Sequence, residues 1–184
     1  MKLKKRTSIT AILFMTLLLF SFSKSDKWVL FESTEYGFKV DFPKEPTSNP
    51  QTVNSEIGLL KMNIFMYEAS NNKKDDNLVY MVNSTEYPDT LINSNKTEIL
   101  YNFFRNSIDG AVNNVHGKLL SETVITIDEY PGREIRVDFQ NGKAVITMRL
   151  YLVKNQMYML QTITETNKDF NNSIKRFFDS FELL

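Results

Sequence analysis

The residues best suited to chemistry lie together in one segment, EYPGREIRVDFQNGKAVITMRLYLV, between Glu129 and Val153. Five charged side chains in this segment could bind ions or transfer protons: Arg133, Glu134, Arg136, Asp138 and Arg149. The dipeptide Asn141-Gly142 predicts a two-residue type I′ hairpin turn between two strands. That turn places Glu134 opposite Arg149 and Arg133 on the other face, so the five charges cannot all converge. Instead of a catalytic centre, we expect a patch that faces a partner, formed by Glu134, Arg136, Asp138 and Arg149.

The other candidates for catalysis lack the partners that their chemistry requires. His116 is the only histidine, and no Asp, Ser or second His stands at a recognisable spacing from it. We expect it near a helix C-terminus, where the helix dipole favours a positive charge. The acidic pairs Asp75-Asp76 and Asp128-Glu129 lie in predicted turns, where solvent would surround both carboxylates, whereas acid–base catalysis needs a pocket that separates their pKa values. The sequence therefore predicts no catalytic residue.

Cofactor and metal sites have no sequence signature either. The chain has no cysteine, which excludes disulfide bonds and thiolate metal ligands. It has no calcium-binding loop, no phosphate-binding glycine loop and no Gly-x-Ser-x-Gly elbow. Tyr151 and Tyr158, expected to be neighbours across a hairpin, could form a stacking platform for a ligand, although packing in the core fits their pattern better. We expect no cofactor and no metal.

The N-terminal residues have the composition of an export signal. A positive segment containing Lys2 and Arg6 precedes the apolar run Ile9–Phe22, and Ser21 and Ser23 supply small residues for cleavage. The run has 14 residues, whereas a membrane-spanning helix needs about 18 or more. We predict a secretory signal peptide at residues 1–25, with an uncleaved membrane anchor as the alternative. The expected location is the periplasm or the extracellular space.

The charge balance changes when that signal is removed. The whole chain has 22 basic and 22 acidic residues. Residues 1–25 contain five basic residues and no acidic one, which leaves 17 basic and 22 acidic residues and a net charge of −5. An acidic domain without a basic run is poorly suited to binding nucleic acid or anionic membranes. We expect neither partner, and no membrane span in the exported chain.

Alternating apolar residues predict antiparallel strands along most of the chain. Besides the two strands of the hairpin, strands are expected at Phe38–Phe42, Ile57–Ala69, Asn77–Tyr87, Leu119–Asp128 and Gln156–Glu165. Residues 44–55 are polar and resemble a loop. The last strand has apolar residues on both faces, which indicates a sheet that is covered on both sides.

Helical periodicity occurs in two segments beyond the signal. In Asn95–Val115 the apolar residues recur every three or four positions. Asn95 with Glu98 resembles a capping box, and Gly117 could end the helix in a left-handed conformation. The final segment, Asn167–Leu184, keeps one apolar stripe and is expected to form a second covering helix. Two helices and several antiparallel strands predict an α+β fold.

The chain beyond residue 25 carries three segments in order: YGFKVDFPKEP, YPGREIRVDF…RLYLVKNQMYMLQ and IKRFFDSFELL. Together they resemble the PsbP-like fold family, which includes DcrB-type bacterial periplasmic proteins. The resemblance implies a central, largely antiparallel β-sheet flanked by helices on both faces, an α/β/α sandwich, in a single domain at residues 26–184. It also implies a non-enzymatic accessory or binding role, without catalytic residues to carry over.

Three functional hypotheses remain. The first is an exported, non-enzymatic accessory or binding protein of the bacterial cell envelope that engages a protein partner. The alternative is a carrier of a small molecule or lipid, with a pocket between sheet and helix lined by the many Met and Phe residues. The third is a hydrolase, which the single histidine and the lack of a nucleophile motif disfavour.

Overall fold

Two antiparallel sheets and two α-helices are formed by residues 28–55 and 57–184, which the computed structural model describes. The predicted signal peptide, residues 1–25, lies outside the described residues. In chain order the elements are β1 (Val29–Ser33), β2 (Phe38–Phe42), β3 (Thr47–Ser55), β4 (Gly58–Glu68), β5 (Asn77–Glu86), α1 (Thr97–Asn114), β6 (Lys118–Ile127), β7 (Tyr130–Phe139), β8 (Ala144–Val153), β9 (Gln156–Glu165), α2 (Asn172–Asp179) and β10 (Glu182–Leu183).

The larger sheet has seven strands in the order β3-β4-β5-β9-β8-β7-β6, and every neighbouring pair is antiparallel. The register predicted for the β7–β8 hairpin is confirmed, since Phe139 lies opposite Ala144 and Glu134 opposite Arg149. Side chains alternate between the two faces of each strand. The register of the β7–β8 pair therefore determines which of their side chains lie next to each other on each face.

The smaller sheet consists of β1, β2 and the two-residue strand β10, with β2 in the centre. Its alternating sequence explains its position: Phe38, Val40 and Phe42 point inward and are fully buried, while Lys39 and Asp41 alternate with them. Burying one phenylalanine side chain contributes about 2–3 kcal/mol. The small sheet thereby covers part of the large one.

Two hydrophobic cores lie on opposite faces of the large sheet. On the first face, here called the α2 face, Tyr80 and Leu160 pack against the small sheet and Phe177 of α2. On the second, the α1 face, Ile135 and Ile146 pack against α1. The segregation follows from strand alternation, which sends neighbouring residues to different cores.

The predicted α/β/α sandwich, with the sheet flanked by helices on both faces, is wrong. The fold is β-rich, with ten strands in two sheets and only two α-helices among the described residues. The apolar residues on both faces of β9 did indicate cover on both sides. Periodicity did not reveal that much of the cover on the α2 face comes from β1, β2 and β10. A strand whose inner residues are buried has the same pattern whatever it packs against.

Three local predictions are also wrong. Residues 44–55 are not a loop, because Thr47–Ser55 pairs along its whole length with β4 as an exposed edge strand. Asn95 does not cap α1, which begins at Thr97 without a side-chain cap. His116, with φ of 49°, takes the left-handed conformation expected of Gly117. A Cβ at Gly117 would lie 2.5 Å from Val137, which explains the glycine by close packing.

Candidate binding surface

The predicted charge patch lies on the α2 face, where the helix meets the sheet. Arg149 on β8 donates from Nε to Glu134 Oε2 at 2.7 Å and from Nη1 to Asp179 Oδ1, on α2, at 3.2 Å. Its guanidinium lies 5.1 Å from the centre of the Phe178 ring. Burial by itself would lower the pKa of Arg149, but hydrogen bonds with Glu134 and Asp179 raise it. Arg149 therefore joins two strands to a helix.

Arg136 makes a second connection from the same face. It pairs with Asp169, in the turn before α2, and its guanidinium lies 4.1 Å from the centre of the Phe170 ring. Asp138 accepts a hydrogen bond from the backbone N–H of Gly142 at 2.6 Å, within the hairpin turn. All four charges of the predicted patch thus make contacts within the fold, and their contact with a partner stays a prediction.

Arg133 lies on the α1 face, as the register predicted. Its guanidinium stands 4.8 Å from the centre of the Phe104 ring, and its Nε lies 3.3 Å from Glu122. The five charges therefore divide between the two faces of the sheet. On the α2 face, Glu134, Arg136 and Arg149 line a pocket of about 320 Å³ beside α2, and their charged groups are paired with one another or with Asp169 and Asp179.

Tyr151 and Tyr158 lie opposite each other on β8 and β9 and are almost completely buried on the α2 face. Both rings pack near Phe181, and the Tyr158 hydroxyl donates to the backbone oxygen of Tyr36 at 2.6 Å. Burial raises the pKa of Tyr158 to about 12. The pair is part of the core, and its rings have no free face for stacking.

A buried polar network near the start of α2 has no counterpart in the sequence predictions. Asn171 caps the helix by accepting from Ile174 N at 3.0 Å, and its Nδ2 donates to Asn77 Oδ1 at 2.9 Å. Asn77 donates in turn to the Tyr80 hydroxyl at 2.7 Å, and that hydroxyl donates to Asp75. Burial raises the pKa of Tyr80 far above its usual range. The network is satisfied internally, so it anchors α2 and is not open to a substrate.

The remaining sequence candidates are dispersed. His116 is exposed beyond the end of α1, and Asp128 is separated from it by the length of β6. Across residues 28–55 and 57–184 no group of three or more His, Cys, Asp or Glu has the arrangement of a metal site. Within the same residues no helix is long and apolar enough to cross a membrane.

Several apolar side chains remain accessible on the α1 face of β4 and β5. Met159 of β9 lies opposite Leu150, a core residue beneath α1, and next to Asn83 of β5, which shows that these side chains share one face. On that face β4 and β5 carry five apolar residues that belong to neither core and remain partly exposed: Met62, Ile64, Met66, Val79 and Met81. We call these five residues the open sheet face.

A cleft adjoins the open sheet face and separates the β3–β4 hairpin from α1. It encloses about 540 Å³ and is lined mainly by apolar side chains: Ile57, Leu60, Tyr87, Ile92, Ile99 and Phe103. Leu60 lies two residues before Met62 on the same side of β4, so the cleft and the open sheet face form one continuous apolar surface. Alternation within the predicted strand Ile57–Ala69 puts Leu60, Met62, Ile64 and Met66 on one side of it. The sequence gives no indication that this apolar side of the strand lacks a covering helix.

Comparison with solved structures shows that the fold is PsbP-like, which confirms the resemblance found in the sequence. The solution structure of cyanobacterial PsbP (CyanoP) from Synechocystis sp. PCC 6803 is similar, with a TM-score of 0.54 and 13% identity, over 86% of this chain and 94% of that chain. The crystal structure of PA94, a protein of unknown function from Pseudomonas aeruginosa, covers 77% of this chain and 85% of its own at 10% identity and a TM-score of 0.31. No protein-family model and no curated protein matches the chain. At sequence identities this low, structural similarity is evidence for a shared fold and not for a shared function.

Proposed function

We propose that this chain is an exported, non-enzymatic accessory protein of the bacterial cell envelope that binds another protein through its open sheet face. The observation that carries the proposal is the group of five neighbouring apolar side chains on β4 and β5 that neither core includes. Apolar patches of this kind on folded domains mark interaction sites. The PsbP-like fold is compatible with an accessory or binding role.

The charged groups support a role without catalysis. Arg149, Arg136 and Arg133 are each committed to an ion pair and to an aromatic ring. An acid–base site needs titratable groups that converge in a pocket. Glu134, Asp169 and Asp179 share a pocket of about 320 Å³ beside α2, but each of these carboxylates is paired with an arginine that connects the sheet to α2 or its preceding turn.

Export is supported by the positive segment and apolar run of residues 1–25. The full chain expressed in a Gram-negative host should appear in the periplasm or medium with a mass reduced by roughly 25 residues. A chain lacking residues 1–25 is the control and should stay in the cytoplasm. Recovery of the full-length, unprocessed chain from the cytoplasm would contradict export.

Partner binding can be tested by placing a photo-crosslinking amino acid at Met66, which is 36% exposed on the open sheet face. Val124, exposed on the edge strand β6, is the matched control position. We expect the same protein adduct in repeated envelope preparations at position 66 and none at position 124. Identical adducts at both positions, or none at position 66, would refute binding through this face.

A second candidate function is transport of an apolar small molecule, which the 540 Å³ cleft beside α1 favours. Its volume lies within the range of ligand pockets, about 300–1,000 Å³. Native mass spectrometry of the purified protein would distinguish the two functions. A bound small molecule that disappears in the variant Phe103→Trp would support the carrier, whereas a chain free of ligand would count against it.

A further inference from the structure

We propose that the open sheet face accepts an amphipathic helix of the partner, with basic residues on both sides of its apolar stripe. This inference rests on the proposed function, because it specifies the chemistry of the protein that binds there. Four features of the described residues carry it: the methionines, the width left beside α1, one buried oxygen without a hydrogen bond, and the charges at the border.

Methionine is concentrated on the α1 face. All six methionines of the described residues point to that side of the large sheet: Met62, Met66, Met81, Met148, Met157 and Met159. Met66 lies directly opposite Met81, and Met159 belongs to the strand beyond β5. Unbranched, polarisable side chains adapt to different apolar partners, so methionine is frequent on surfaces that bind helices. Met62, Met66 and Met81 give the open sheet face this adaptable character, whereas Met148 and Met157 are buried in the core beneath α1.

The sheet is too wide for α1 to cover alone. Seven strands spaced about 4.8 Å apart span roughly 29 Å, and one helix with its side chains covers about 10–12 Å. The core residues beneath α1 lie on β7, β8 and β9. Besides the edge strand β6 on the far side of α1, three strands remain, and these neighbours, β3 to β5, leave a width close to that of one helix. A second helix could lie beside α1 at the usual separation of about 8–10 Å.

Asn83 lies in the middle of this face, opposite Ile64 on β4 and Met159 on β9. Its side chain is only 3% exposed, and its Oδ1 accepts no hydrogen bond from any described residue. Buried polar atoms in native proteins nearly always have a partner. The methionines around Asn83 can change rotamer, which would admit a donor side chain of an incoming helix to this oxygen.

The border of the face is acidic. Glu98 on α1 is the only charged residue among the described residues that line the cleft. At the opposite end, Glu68 ends β4 on the same face, opposite Val79. Neither carboxylate forms an ion pair with a described residue. Basic residues beside the apolar stripe of a partner helix would meet these two charges, whereas an anionic lipid would be repelled.

A second copy of the chain does not fit this surface. The side of α1 that borders the cleft carries Glu98, Asn102 and Asn106 beside Ile99 and Phe103, so polar side chains interrupt the apolar surface that it could offer to another molecule. The helix also rises about 10 Å above the sheet. Two open sheet faces would therefore be held apart by their α1 helices.

The test uses the purified protein with ¹³C-labelled methionine methyl groups and a synthetic 18-residue helical peptide of Leu and Lys with one apolar stripe. We expect the methyl signals of Met66 and Met81 to shift and to saturate with added peptide. Met148, which is 2% exposed beneath α1, is the internal control and should not shift. The same peptide with Glu in place of Lys should bind at least about tenfold more weakly.

Variants give a second readout. Met66→Lys should weaken peptide binding at least about tenfold, because it places a positive charge on the apolar face. Val124→Lys, on the edge strand beyond α1, should leave binding unchanged. Equal binding of the acidic peptide, equal shifts at Met148 and Met66, or binding of oleate but not of the peptide would each overturn the inference. A concentration-dependent dimer formed through Met66 would overturn it as well.

The two proposals fail in different ways. A reproducible protein adduct at position 66 without peptide-induced shifts would support binding of a protein partner but exclude an amphipathic helix as the part of the partner that binds. Absence of both the adduct and the shifts would eliminate the proposed function itself.

Discussion

Replacing Arg149 by alanine tests whether α2 is held to the sheet by a partly buried ion pair. The side chain is 24% exposed and reaches Glu134 on β7 and Asp179 on α2 at 2.7 and 3.2 Å. The substitution removes two charge-assisted hydrogen bonds and the contact with the Phe178 ring. It also leaves two carboxylates close together without their shared cation.

The free energy of unfolding that Arg149→Ala removes lies between two limits. A fully exposed ion pair contributes about 0.2–1 kcal/mol, and breaking a fully buried one costs about 3–5 kcal/mol. Arg149 is mostly covered, whereas Asp179 is 41% exposed. We therefore expect Arg149→Ala to lower the free energy of unfolding by about 2 kcal/mol. For a chain of this size, the melting temperature should fall by roughly 4–8 °C.

Urea unfolding followed by circular dichroism, at pH 7 and low salt, gives the measurement. Lys39→Ala is the matched control, because its partner Glu182 is 62% exposed; its cost should stay below about 1 kcal/mol. A double-mutant cycle with Asp179→Ala should give a coupling free energy of about 1 kcal/mol or more. A loss below about 0.5 kcal/mol for Arg149→Ala would show that α2 does not shield the pair, and the reasoning would be refuted.

Three further predictions concern other parts of the same face. A hydrogen bond from Lys175, followed by one from Arg149, lowers the pKa of Asp179 below 3.8; its stabilising effect should be complete above pH 3.8 and vanish as the pH falls through the lower folded value. Urea titrations of Asp179→Asn and wild type should therefore differ at pH 6 and converge near pH 2. Burial raises the pKa of Tyr158 from 10.0 to about 12, so its contribution is complete below pH 10 and lost as the pH rises to about 12. Tyr158→Phe should cost about 1 kcal/mol at pH 7 and reduce the loss of stability between pH 10 and 12, and an unchanged alkaline profile would contradict this assignment. Asn171→Ala removes the cap of α2 and the partner of buried Asn77, for an expected loss of about 2–3 kcal/mol in thermal unfolding. Its control, Asn95→Ala, should change stability by less than about 0.5 kcal/mol because Asn95 is exposed and caps no helix.

The contrast between Asn95 and Asn171 shows where sequence reasoning reached its limit. Both residues stand before a helical pattern, and the capping-box rule selected Asn95. Of these two residues only Asn171 caps a helix, because a long-range hydrogen bond to Asn77 and a local one to the Lys168 carbonyl hold its side chain in place. A helix cap that depends on Asn77, 94 positions earlier in the chain, cannot be recognised from the residues next to the helix.

The edge strand β3 was missed for a related reason. Its residues Thr47–Ser55 are nearly all exposed and include Pro50, so they show no apolar alternation. Hydrogen bonds to β4 alone establish it as a strand. The helix predicted for the C-terminal segment Asn167–Leu184 was too long, because the aromatic residues of that segment continue a helical spacing beyond the end of α2. The chain leaves α2 after Asp179 and places Phe181 in the core before it pairs with β2.

The amino-acid pattern was sufficient to predict the strands with alternating apolar residues, the register of the β7–β8 hairpin, the central helix and the resemblance to the PsbP-like fold. These features depend on period and on turn chemistry, which are local properties of the chain. Only the tertiary structure decided that Arg149 and Arg136 connect the sheet to α2 and its preceding turn, and that a second sheet shares in covering the α2 face. It also decided that α1 leaves Met66 and Met81 uncovered. The reason is physical: alternation shows that a face is apolar, whereas the extent of its cover depends on the width of the sheet and the number of elements packed on it.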